Sequence, residues 1–416
     1  MSSPTLLDTP PAASNAAIWR HIFAGLSASL IGIGLARFAY TPLIPSLIQA
    51  HWFSASDVVY LGAANLAGYL IGALIGRPLG SRVSNVHTLR GMKVLITLAF
   101  LACAFPVSVG WFFAWRLLSG VAGGVIMVLV AATVLPHVPG DRKGLASGAV
   151  FLGLGLGIAA SGTIVPLLLE LGLRAAWIGL AVVSAVLTAA SWTGWPTKDA
   201  PTAKPAEVNA SGAAAVTSGV ETTALYVEYA LMAIGLVPTM VFLVDFIARG
   251  LGAGAHLGSL FWILYGVGAI FGPPVYGVFA DRLGSRSALR VLVLVQAIAV
   301  AGLAVSSSHV VIGLLTVVIG TFPPGIVPLM LARVHETAPG NAARQNVIWS
   351  RVTTAFAAFQ ALAGYSYSAI FNGSGGNHRL LFVIGAAALA ITLGVDFIAP
   401  LFSRRSRGQG AQADAR

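Results

Sequence analysis

The chain has 416 residues, of which 57% are hydrophobic and 9% charged, with 48 glycines, 21 prolines and a net charge of +11. An ordinary soluble domain is about 25% charged, so this composition excludes one and describes a chain built for a bilayer. The single cysteine, Cys103, excludes an intramolecular disulfide and a cysteine-based metal cluster, and the basic residues lie between apolar runs instead of forming a stripe with interleaved aromatics, which argues against a nucleic-acid partner.

Residues 1–18 are polar, rich in Pro, Ala and Ser, and lack the basic start and short apolar core of a cleavable signal; they read as a disordered tail. Apolar runs long enough to cross a bilayer then recur at 19–47, 57–80, 92–109, 111–136, 144–169, 174–195, 223–247, 256–280, 288–307, 309–333, 344–370 and 379–402. These twelve spans make an all-α integral membrane protein, and the even count puts both ends of the chain on one side. The segment 196–222 is rich in Ala, Thr, Ser, Pro and Gly without apolar periodicity, so it is a linker between bundles at 19–195 and 223–402, with a tail at 403–416.

On the side of the termini the connections hold Arg77, Arg82, Arg90, Lys93, Arg142, Lys143, Lys198, Lys204, Arg282, Arg286, Arg290 and Arg344, and the tail holds Arg404, Arg405 and Arg407. The opposite connections hold Arg174, Arg249 and Arg379. The positive-inside rule therefore puts both termini and the linker in the cytoplasm. An offset of about 200 residues maps one bundle on the other: Ile33-Gly-Leu35 matches Ile234-Gly-Leu236, Gly120 matches Gly320, and Ser81-Arg82 matches Asp281-Arg282. Two like-oriented halves imply a parallel repeat with a substrate site between them near the midplane.

In the first span Arg37 interrupts an apolar run, where an arginine costs roughly 2.5–3.5 kcal/mol and so must face protein or water. The other basic residues within spans are Arg116 and Arg351, and the acidic ones are Glu228, Asp245 and Asp396. Glu228 and Asp245 are 17 residues apart on one span, about 25 Å at 1.5 Å per residue, and cannot share a cluster. Depth alone pairs Arg351 with Glu228, and Arg37 or Arg116 with Asp245; Asp396 reads as peripheral. A structural ion pair and a functional role stay open for each, with Glu228, Asp245 and Arg116 as candidates for proton coupling. Arg37 is the candidate anchor for a solute, and Tyr40, Thr41, Asn65, Tyr265, Trp349 and Gln360 are candidates for the rest of the cavity. All eight histidines fall at span ends, in loops or in tails, which argues against a midplane histidine relay. Pro42 and Pro45 in the first span, and Pro323, Pro324 and Pro328 in the tenth, are hinges or static kinks.

Between spans eight and nine the chain reads Gly277-Val-Phe-Ala-Asp281-Arg282-Leu-Gly284-Ser-Arg286, which resembles the loop signature of the major facilitator superfamily. The resemblance implies the fold of two six-helix bundles and a cytoplasmic gate in which Asp281, Arg282 and Arg286 latch the inner side, with Gly277 and Gly284 as part of the motif. The N-terminal copy has Ser81 where the carboxylate would be. Arg116-Leu-Leu-Ser-Gly120 resembles an arginine motif of proton-coupled members, and Gly153 to Gly162 resembles the glycine-proline motif of antiporters with Ile158 in place of the proline. Gly34-Leu-Ala-Arg37-Phe-Ala-Tyr40-Thr41-Pro42 resembles the YbfB/YjiJ-type branch.

The expectation is a monomeric secondary transporter in a bacterial inner membrane, proton-coupled, moving an anionic or zwitterionic solute such as an amino acid or organic acid; a proton antiporter for hydrophobic compounds is the alternative. The chain contains no Gly-x-x-x-x-Gly-Lys phosphate loop, no His-Glu-x-x-His pair and no filter-like repeat, so ATP hydrolysis, intramembrane catalysis and a channel are the weaker classes. No cofactor and no metal are expected.

Overall fold

The computed structural model describes residues 15–139, 142–196, 220–339 and 341–413. Twelve long helices run up and down through it, and no strand occurs among the described residues. They are α1 (Asn15–Gln49), α2 (Ala55–Val83), α3 (Asn85–Cys103), α4 (Val109–Val134), α5 (Lys143–Leu169), α6 (Leu173–Ala190), α7 (Val220–Gly250, with breaks), α8 (Gly254–Leu283), α9 (Ser285–Val305), α10 (His309–Thr337), α11 (Ala342–Gly373) and α12 (His378–Ala413). Eleven are long and apolar enough to cross a membrane; α11 crosses the same bundle with a more polar sequence. Large apolar side chains such as Ile298 and Leu314 are 61% and 67% exposed, a surface that only lipid covers without penalty.

The apolar runs and the helices differ at their ends. Helix α1 starts at Asn15, within the expected tail, and α12 stays helical to Ala413, so 403–413 continues a helix. Residues 1–14 and most of the linker, 197–219, lie outside the described residues. Helices α3 and α9 start at Asn85 and Ser285, ahead of the expected 92 and 288, because a single residue joins each to the helix before it. Those residues are Ser84 with φ +113° and Gly284 with φ +76°, equivalent positions in the two halves. Glycine adopts such a backbone freely, whereas Ser84 is held there with its Oγ accepting from the backbone N–H of His87.

The repeat is carried by backbone contact. Where α2 crosses α4, a Cβ on Gly68, Gly72 or Gly120 would lie 2.0–2.1 Å from the carbonyl oxygen of Leu117, Val121 or Asn65. Where α8 crosses α10, a Cβ on Gly268, Gly272 or Gly320 would lie 2.1–2.2 Å from that of Val317, Thr321 or Tyr265. Every one of these positions is offset by 200 residues, and only glycine lets the helices approach so closely.

The end of the bundle where α1 begins and α12 finishes is the basal end; the other is the distal end. The halves meet through the middle and distal parts. Thr41 Oγ1 donates to Met240 O at 2.7 Å, Ser368 Oγ to Val59 O at 3.3 Å, and Asn372 Nδ2 to Ser56 Oγ at 2.9 Å. Helix α5 crosses α8 backbone to backbone at Gly155, Gly162 and Gly266, and Trp262 Nε1 donates to Ser161 Oγ there at 3.0 Å.

Candidate functional site

Helix α1 is not uniform. Leu30–Leu35 forms a π-helical turn, Ala36–Phe38 returns to α-geometry, Ala39 is a turn, and Tyr40–Gln49 resumes the helix with Pro42 and Pro45 lacking backbone donors. Gly34 sits against Gly157 of α5, so the helix passes its neighbour without side chains between. The break turns Arg37 toward the second half, where its Nη2 donates to Gln360 Oε1 on α11. Gln360 is 2% exposed and its Nε2 reaches Met240 Sδ of α7. The guanidinium of Arg37 also lies 5.0 Å from the Tyr69 ring and 5.8 Å from that of Phe38, and its buried Nε has no hydrogen-bond partner.

Arg116 on α4 stands beside it. Its Nη1 donates to Ala36 O at 2.9 Å and its guanidinium lies 4.3 Å from the Tyr40 ring, while its Nε is also buried without a partner. Asn65 Nδ2 donates to Ser119 Oγ at 2.9 Å and approaches the carbonyls of Ala36 and Arg116 at 3.4 Å. These residues line a small cavity that also takes in Phe38, Tyr40, Thr41, Gly62, Leu66, Met240 and Val241. Tyr40 Oη donates to Val58 O at 2.7 Å and Thr41 to Met240 O, so both hydroxyl protons are used by backbone. Tyr265 is fully buried and stacks on Trp262 at 4.8 Å, with Trp262 in turn 6.0 Å from Phe38. Arg37, Tyr40, Thr41, Asn65, Arg116 and Gln360 therefore come together.

The pairings inferred from depth are not those of the structure. Asp245 meets neither Arg37 nor Arg116: at the distal end its carboxylate takes Arg249 Nε and Nη2 at 2.5 Å and His378 Nε2 at 2.7 Å. Arg249 follows one helical turn after Asp245, and the start of α12 delivers His378, so these two partners are nearer than any midplane arginine. Glu228 pairs with Arg333 of α10, Nη2 to Oε2 at 3.6 Å, and not with Arg351, which lies on the exposed side of α11 near Tyr226. Asp396 is the reverse of peripheral. It is 2% exposed and collects Arg333 Nη1 at 3.2 Å, Arg286 Nε at 3.2 Å and Arg290 Nε, and its backbone carbonyl takes Arg286 Nη2 at 3.0 Å. Two carboxylates and three guanidiniums from α7, α9, α10 and α12 thus form one basal network, in which both oxygens of Glu228 lack a hydrogen bond among the described residues. Glu228 and Asp245 belong to separate clusters at opposite ends of α7. Trp349 is also apart from Arg37: it packs on Tyr229, which contacts Phe356, on the basal part of α11.

The sequence of residues 29–397 matches the family model described as "Uncharacterised MFS-type transporter YbfB". The chain belongs to this family of the major facilitator superfamily. It is therefore a multi-pass membrane transporter of small molecules and not an enzyme. A curated relative, "Uncharacterized MFS-type transporter YwfA" of Bacillus subtilis (strain 168), is 28% identical over 127 residues, a match that spans 30% of each chain. Among solved structures the fold is similar to that of a D-xylose-proton symporter (TM-score 0.73, 15% identity, 90% of this chain and 96% of that one). It is equally similar to a mutant of the nucleoside transporter NupG (0.74, 14%, 92% and 100%). A bacterial homolog of the human lysosomal transporter Spinster, in an inward-facing and unoccupied conformation, follows (0.69, 14%, 93% and 98%).

The facilitator loop motif is only partly engaged. Asp281 and Arg282 are exposed at the basal end of α8 and make no hydrogen bond or ion pair among the described residues, Gly277 faces open space, and Gly284 supplies the turn. Arg286 instead belongs to the Asp396 network. In the antiporter-like stretch of α5, Gly153 and Gly157 pack on α1, and Gly155 and Gly162 on α8.

Sequence reasoning passed over Arg333, His378 and Lys93. The first two lie at the margins of their apolar runs, one at the last residue of the tenth and the other just ahead of the twelfth. Lys93 was counted with the loops, yet it is 1% exposed on α3, where Nζ meets Ser191 Oγ beside the Trp195 ring. One signal was available: Arg90 and Arg290 are offset by 200, and they bind the carbonyls of Trp192, just past α6, and of Asp396, within α12.

Proposed function

We propose that this transporter carries a small anionic solute by alternating access, with Arg37 as the anchor of the negative group. One observation carries the reading. The Arg37 guanidinium is half-buried between the halves at mid-bundle, its only hydrogen bond among the described residues is to a neutral carboxamide, and its Nε is unpartnered, while Glu228, Asp245 and Asp396 are held by other cations. A planar guanidinium with an open edge holds a carboxylate by two parallel bonds. Asn65 and Arg116 shape the cavity beside it, and Tyr265 backs it through Trp262 and Phe38.

In this reading the basal end, where the basic connections lie, faces the cytoplasm by the positive-inside rule, and the membrane is the inner membrane of a bacterial cell. The halves touch in the middle and distally, which corresponds to a carrier closed toward the outside and open toward the cytoplasm. The exposed Asp281 fits that state as an unlatched cytoplasmic gate. The proton site is Glu228: Arg333 stands between it and Asp396, so a proton on Glu228 releases Arg333 to Asp396 and redistributes the basal network.

Counterflow in proteoliposomes tests the anchor. Arg37→Lys keeps the charge and loses the fork, and should lower exchange of an identified anion at least tenfold with the protein folded; exchange at the parental rate removes Arg37 from the site. For coupling, Glu228→Gln should abolish accumulation driven by a pH gradient and retain gradient-free exchange. Full gradient-driven accumulation in that variant would assign the proton elsewhere.

A further inference from the structure

Resting on the role of Arg37 as anion anchor, the site's composition says what else the solute carries. We infer that the cargo is a monocarboxylate with an apolar body and no ammonium group, not an amino acid.

An amino acid brings its ammonium within one carbon of its carboxylate, so a site for it needs an anionic or free carbonyl acceptor beside the guanidinium. Among the described residues no anion stands there, and the neutral Gln360 carboxamide oxygen, itself held by the guanidinium, is the acceptor nearest to it. Glu228 lies 12 residues from Met240 on α7, about 18 Å along the helix, and is fully buried against Arg333. Asp245 is nearer, but it is fully buried and takes both Arg249 and His378. The Ala36 carbonyl already accepts from Arg116 and is approached by Asn65, and the Met240 carbonyl accepts from Thr41. The ring faces that could hold an ammonium are taken by guanidiniums, Tyr69 and Phe38 by Arg37 and Tyr40 by Arg116. A second cation would also meet Arg116 across the same cavity.

The rest of the lining speaks for the body. Phe38, Leu66, Met240 and Val241 present apolar surface beside Arg37. The hydroxyl protons of Tyr40 and Thr41 are committed to backbone, so neither residue donates to a polyhydroxylated solute there. A carboxylate on Arg37 with a ring or short alkyl chain against these side chains leaves no polar group of the solute without a partner.

The test is binding to the purified full chain, read as thermal stabilisation and isothermal titration, with phenylacetate, hexanoate, phenylalanine, phenylacetamide and succinate as probes. Phenylacetate and hexanoate are expected to bind at least tenfold more tightly than phenylalanine, and Arg37→Lys, checked for folding by its own melting curve, should lose that binding. Phenylalanine binding as well as phenylacetate overturns the inference and leaves the anion anchor standing. Binding of succinate in preference to both monocarboxylates does the same. Phenylacetamide binding as well as phenylacetate refutes the anchor itself. No stabilisation by either monocarboxylate overturns the inference.

Discussion

The Arg37–Gln360 contact makes a prediction with opposite signs for two variants. Gln360 Oε1 occupies the guanidinium where a solute carboxylate would sit, so the solute must displace it. A hydrogen bond to a charged group is worth about 1.5–3 kcal/mol net, and each 1.4 kcal/mol is about tenfold in affinity. Gln360→Leu removes this competitor and should tighten binding of an anionic solute by up to roughly 10–100-fold, the lower value applying if water takes the carboxamide's place. Gln360→Glu makes the competitor a carboxylate. At about 4 Å and an effective dielectric near 20 such a pair gains roughly 4 kcal/mol, part of which is offset by desolvating the new charge. The remainder should weaken solute binding at least tenfold and raise the melting temperature of the empty protein. Titration of both variants with one anionic solute, alongside melting curves of the empty proteins, checks this. If both substitutions weaken binding alike, Gln360 is a direct solute ligand and the displacement argument fails.

Asp396→Asn leaves Arg286, Arg290 and Arg333 without their shared carboxylate and should cost about 3–5 kcal/mol, seen as a lower melting temperature in detergent. Asp281→Asn, at an exposed position with no partner among the described residues, should leave the melting temperature unchanged while slowing turnover. Gly284→Ala forces a side chain onto a backbone with φ +76° and should cost about 1–3 kcal/mol. Ser84→Gly relieves the equivalent strain at φ +113° and should be neutral or stabilising, since glycine replaces a serine cap at a loss of only about a few tenths of a kcal/mol.

The architecture was legible because its causes are one-dimensional. A bilayer demands apolar runs of fixed length, and the 200-residue offset survives wherever backbones touch, as at Gly120 and Gly320. The ion pairs were not legible, because depth along a helix is one coordinate and partnership needs three. Arg351 and Glu228 share a depth, yet α11 turns Arg351 to its exposed side while α10 turns Arg333 inward. Margins misled as well: α12 begins at His378, one residue before its apolar run, and that residue holds Asp245. Asp396 read as peripheral because nothing in the run around it shows that α9 and α10 aim three arginines at the same spot.

The two halves share a backbone plan and divide the charge. Each interior carboxylate of the second half lies beside a guanidinium, Asp245 with His378 as a further partner and Glu228 beside Arg333 of the Asp396 network, so that half is close to self-compensated. The first half keeps Arg37 and Arg116 inside with carbonyls, rings and a neutral amide for company. Such groups solvate a guanidinium partly, and a buried cation without an anion remains several kcal/mol short of its state in water, by order of magnitude. With Arg37 as the proposed anchor, that shortfall is recovered when an anion arrives, which would favour the loaded carrier over the empty one. Because Arg37 belongs to one half and Gln360 to the other, an anion that compensated the first half would also sever its hydrogen bond to the second. Binding and the loosening of the contact between halves would then be a single exchange of partners at one guanidinium.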